Sequence, residues 1–116
     1  RTVSPLEGRW TSELSCHASA EQPMSSLHLP VKIEFREIRI EAGQVGLPGY
    51  FRAYGNISED GTFQLQGVSL PRTQRIVGIE ESVRVSGRAL DSNRLEANGT
   101  VGERRCSVAF SRLAAQ

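Results

Sequence analysis

The chain has 116 residues, with 14 basic and 13 acidic side chains, two histidines and two cysteines. That length holds one modest core, so a single domain over 1–116 is expected. The charges nearly cancel and no apolar run approaches the roughly 20 residues that cross a bilayer, which argues against a nucleic-acid partner and a membrane span.

Apolar residues alternate with period two through most of the chain and nowhere keep helical spacing for three turns, so an all-β fold is expected. The first strand, 8–17, carries Trp10, Leu14 and Cys16 on one face. A Ser- and Pro-containing surface loop follows over 18–29. The second strand is placed at 30–41, where Val31, Ile33 and Phe35 face inward. Arg36 and Glu37 then break the alternation before Ile38 and Ile40, which a β-bulge at 36–37 would explain. Strands at 49–58 and 62–69 place Phe51, Ala53, Gly55 and Ile57 in phase with Phe63, Leu65 and Gly67 across the turn Glu59-Asp60-Gly61. A longer connection over 70–81 carries an optional short strand at 74–79.

Strands at 82–90 and 94–101 repeat the pattern, with Val83, Val85, Gly87 and Ala89 facing Leu95, Ala97, Gly99 and Val101 across Asp91-Ser92-Asn93. The two-residue loop Gly102-Glu103 then switches the phase to Cys106, Val108 and Phe110 on the last strand, 104–113. Inward glycines suit strands that bend tightly. The expected architecture is therefore a small antiparallel up-and-down barrel of seven to eight strands, closed by pairing of the first with the last. Large residues opposite small ones predict a mostly filled interior; a continuous small-residue wall would instead leave a cavity.

With Cys16 opposite Cys106, an antiparallel closure sets Leu14 against Val108, Ser12 against Phe110 and Trp10 against Arg112. Two cysteines near the chain ends, without a CxxC, fit one disulfide made in an oxidising compartment, periplasmic or secreted; the alternative is two unrelated buried thiols. Lys32 is the sole lysine, an arginine bias that suggests a GC-rich bacterial genome.

Gly8-Arg9-Trp10 together with Arg112 resembles the calycin-like barrels, the lipocalin and avidin relatives, in which a Gly-x-Trp on the first strand packs against an arginine near the end of the last. The chain also resembles short exported bacterial domains of uncharacterised role, with one cysteine on the first strand and one on the last. The resemblance implies a fold with Gly8, Trp10 and Arg112 as structural residues. It carries no ligand set, because the chain is shorter than a typical lipocalin and lacks an avidin-type pattern.

No nucleophile elbow, phosphate-cradling glycine loop or zinc signature is present, so neither enzymatic activity nor a cofactor is expected. His17, on the outer face of the first strand, and His28, in a loop, read as surface histidines, and Asp60, Glu80 and Glu81 as loop carboxylates. Two sequons, Asn56-Ile57-Ser58 and Asn98-Gly99-Thr100, are read as coincidental in a bacterial chain. Two loops remain, and Tyr50, Tyr54, Arg72 and Arg75 are the candidate contacts with a partner, against the plainer reading of solvated loops. The expected function is an exported, non-enzymatic binding module acting through its surface or loops on a protein partner or a small apolar ligand. The alternatives are an inhibitor or accessory domain of an exported enzyme such as a protease, using the segment Arg1–Leu6, and a carrier of a small apolar ligand.

Overall fold

Period-two alternation gives every strand one apolar face, and rolling those faces inward closes the sheet. The computed structural model describes residues 6–18, 24–71 and 80–113. Its strands are β1 (Gly8–Cys16), β2 (Ser25–Glu34), β3 (Glu37–Ala42), β4 (Phe51–Asn56), β5 (Thr62–Ser69), β6 (Glu81–Asp91), β7 (Arg94–Val101) and β8 (Arg104–Arg112). Each is antiparallel to its chain neighbours, and β8 returns to β1, closing an eight-strand barrel. The closing register is the expected one, with Trp10 opposite Arg112, Leu14 opposite Val108 and Cys16 opposite Cys106. The two cysteines form a disulfide.

The segment 30–41 is not one bulged strand. Glu34 pairs with Glu37, so Phe35-Arg36 is a two-residue turn between β2 and β3, and β2 begins at Ser25, inside the stretch expected to be a loop. The phase change follows, since Leu29, Val31 and Ile33 are buried before the turn and Ile38 and Ile40 after it. Such turns need positive φ, usually supplied by Gly or Asn. Here Phe35 takes it, at φ 56°, and lies 75% exposed rather than inside the barrel. This hairpin supplies the eighth strand; the segment 74–79 falls outside the described residues.

Trp10, Ile33, Ile38, Leu65, Leu95 and Phe110 fill the interior, with Phe63 packed edge-on against Phe110 at 5.8 Å between centroids. Gly67 and Gly99 allow close approach of neighbouring backbones. A β-carbon there would run into the carbonyl oxygens of Arg52 and Arg84. Among the described residues no helix is long and apolar enough to cross a membrane.

The two ends differ. One carries the turns Phe35-Arg36 and Ser92-Asn93 and is plugged. The Trp10 Nε1 donates to the Leu6 carbonyl at 2.8 Å, and the Arg112 guanidinium lies 4.8 Å from the indole centroid. Arg112 also donates to the Glu7 and Ser92 carbonyls, each at 2.9 Å. Gly8, at φ 137°, leaves the space that Arg112 occupies. The other end carries the disulfide, the loop 43–50 and the strand ends at Ser25, Ser69 and Glu81.

Candidate functional site

Inward residues near the disulfide end do not close over one another, and a cleft of about 330 Å³ opens there to solvent. Strand phase dictates its walls: Leu14 on β1, Leu29 on β2, Phe51 on β4, Ser69 on β5 and Val101 on β7 all line it. Small residues make the room, since Ala42 ends β3 and Gly43 and Gly49 flank the loop that follows. Gly43 sits at φ 80°, where a β-carbon would press to 2.8 Å from the Gly49 carbonyl oxygen as the loop returns. The expectation of a mostly filled interior thus describes the plugged end, whereas the mouth keeps a cleft within the size range of small-molecule sites.

His28, Ser69 and Arg104 are polar residues of the cleft lining, and the buried charge among them is Arg104. It shares the inward phase of Cys106 and Val108, so its side chain enters the barrel, where Nη2 donates to the Glu81 carboxylate at 2.9 Å. Both side chains are largely buried, at 7% and 15% exposure. Glu81 is therefore not the surface loop carboxylate expected from sequence: it begins β6, in phase with Val83 and Val85. Positive φ at Gly102 turns the chain beside it, and a β-carbon there would meet Glu81 Oε2 at 2.6 Å. The signal for this pair was present in the strand phase of both residues. Around the mouth, Met24, Leu27, Val45 and Leu47 are exposed apolar side chains.

The two described candidate contacts, Tyr50 and Tyr54, do not share one surface. Tyr50 is buried, with its hydroxyl 3.5 Å from the Glu41 carboxylate. Tyr54 is exposed on the outer wall of β4, with the Arg52 guanidinium 5.1 Å from its ring centroid. Arg72 and Arg75 lie outside the described residues. Of Arg1–Leu6, only Leu6 is described, and it is buried against the core.

His28 is on β2 rather than in a loop, exposed and 3.8 Å from the Glu13 carboxylate across the strand pair. His17 follows β1 and donates its backbone N–H to the Arg105 carbonyl at 2.9 Å. Asp60 and Asp91 cap turns. The Thr62 hydroxyl, then the Thr62 N–H, holds the Asp60 carboxyl below its ordinary value. The Asn93 N–H, aided by Arg94, does the same for Asp91. Among the described residues no three His, Cys, Asp or Glu side chains come together as a metal site.

Comparison with family models, curated proteins and solved structures finds no match. The closed, all-antiparallel eight-strand barrel fits the small calycin-like barrels in general architecture.

Proposed function

We propose that the chain is a non-enzymatic binding module that takes a small, largely apolar ligand at the disulfide end of its barrel. The carrying observation is the cleft of about 330 Å³ walled by Leu14, Leu29, Phe51 and Val101, with exposed Met24, Leu27, Val45 and Leu47 around its mouth. Apolar walls with a few convergent polar groups, here Arg104 and Ser69, are the usual composition of a ligand site. The same apolar rim suits a ligand that protrudes from the cleft.

The disulfide supports export to a periplasmic or extracellular compartment. Arg112 over Trp10, with Gly8 making room, supports kinship with the lipocalin and avidin barrels.

The test is fluorescence titration with N-phenyl-1-naphthylamine, a neutral apolar probe, on the oxidised protein. Ala42→Phe fills the cleft and Leu27→Glu puts a charge at its edge, so both should abolish saturable binding, while Arg88→Gln on the outer wall should not. Saturable binding that survives both cleft variants would reject the proposal.

A further inference from the structure

The near-zero net charge of the chain hides a row of cations on the outer wall, flanked on β2 and β3 by Glu34, Glu37 and Glu41. Following direct cross-strand partners around the barrel from β1 to β8 gives one continuous row: Arg9, Lys32, Arg39, Tyr54, Gln66, Arg84, Thr100, Arg105. Every member is exposed, five are cations and none is acidic. Because barrel strands are staggered, the row spirals from Arg9 near the plugged end to Arg105 at the disulfide end. With strands ~4.8 Å apart, its seven steps run about 34 Å.

Two features distinguish this row from a scatter of surface charge. First, Arg9 directly opposes Lys32, and Lys32 directly opposes Arg39, an arrangement of like charges that costs stability in a sheet. Among the described residues, Lys32 and Arg39 are relieved by carboxylates beside them on their own strands, Glu34 at 3.6 Å and Glu37 at 3.2 Å. Arg9, Arg84 and Arg105, together with Arg52 stacked on Tyr54, have no carboxylate within ion-pair distance among the described residues. Second, a shallow groove of about 510 Å³ runs over Arg9, Lys32 and Arg39, edged by Pro30 and Leu113, with Glu41 as its one acidic lining residue.

We propose that this spiral band binds a linear acidic polysaccharide, independently of the cleft at the barrel mouth. Cations at strand spacing complement repeated carboxylate or sulfate groups along one chain. Gln66 and Thr100 offer hydrogen bonds to sugar hydroxyls, and the Tyr54 ring offers a face for a sugar ring. The disulfide supports export to a compartment where such polymers occur, which favours them over nucleic acid.

The test uses the full oxidised chain and three polyanions of matched charge: a heparin fragment, an oligouronate and single-stranded DNA. Affinities are measured by calorimetry at ~0.15 M salt, where weak surface attraction is screened. The band triple Arg9→Gln, Arg84→Gln, Arg105→Gln is compared with the off-band triple Arg36→Gln, Arg88→Gln, Arg94→Gln, which removes the same charge. The band triple should weaken polysaccharide binding about tenfold or more, and the off-band triple by about twofold or less. Far-ultraviolet dichroism confirms folding; if the band triple unfolds, Arg84→Gln and Arg105→Gln singly should each still weaken binding. Equal losses in the two triples, absence of polysaccharide binding by the wild type, or tighter binding of DNA would each overturn the proposal.

Discussion

Replacing Arg112 with alanine should open the plugged end of the barrel. Three contacts are lost at once: the stack on Trp10 at 4.8 Å and the hydrogen bonds to the Glu7 and Ser92 carbonyls, both at 2.9 Å. A partly exposed cation–π contact contributes about 0.5–1 kcal/mol. Hydrogen bonds from a charged donor contribute about 1.5–3 kcal/mol each when sheltered and less in water, and the bond to Ser92 is exposed. Together these predict a loss of about 2–4 kcal/mol. Because Trp10 is the only tryptophan, its fluorescence reports both the urea transition and the local change, and its emission should move to longer wavelength in the folded variant. Arg112→Lys keeps the charge without the planar fork and should recover less than half of the loss. A loss below about 0.5 kcal/mol with unchanged emission would refute the view that Arg112 plugs this end.

Reducing the Cys16–Cys106 disulfide, or replacing both cysteines with serine, frees a link across 90 positions of sequence and should cost roughly 4–5 kcal/mol in the chain-entropy account, read as a lower urea midpoint. Glu81→Gln should cost up to about 3–5 kcal/mol by removing the carboxylate that faces the buried Arg104 guanidinium, whereas Glu81→Leu with Arg104→Met should cost far less; equal losses would count against a buried pair. Asp60 and Asp91 have folded pKa values below their unfolded ones, so the stability they contribute is present above the unfolded carboxylate pKa. It is lost as pH falls through the lowered folded values. Urea midpoints measured down through that acid range should fall less steeply in an Asp60→Asn, Asp91→Asn double variant than in the wild type.

Most of the barrel was legible because strand phase survives across tight turns. The turns Glu59-Asp60-Gly61 and Gly102-Glu103 carry glycine at positive φ, and Ala89 still pairs with Leu95 across Asp91-Ser92-Asn93 although Asn93 stays out of the left-handed region, so the phase across each could be followed from sequence. The hairpin at Phe35-Arg36 was misread because its turn chemistry is carried by a phenylalanine in a conformation that residue rarely adopts. Pro30 inside β2 further disguised a strand, since proline lacks the ladder donor. At the site, the apolar walls follow from alternation, but the openness of the mouth depends on how the loop from Gly43 to Gly49 returns, which no periodicity encodes. Glu81 and Arg104 were passed over because charge was read as exposure, although both sit in the inward phase of their strands.

The central claim, a ligand seat at the disulfide end, is tested most directly by amide chemical-shift mapping of the isotopically labelled, oxidised protein during titration with N-phenyl-1-naphthylamine. Saturable shifts should concentrate at Leu27 to Leu29, Ala42 to Phe51, Ser69, Leu70 and Val101 to Arg104, with those of Trp10, Ser92 and Arg112 unmoved. Shifts centred on the plugged end, or the absence of any saturable shift at the cleft, would contradict the account.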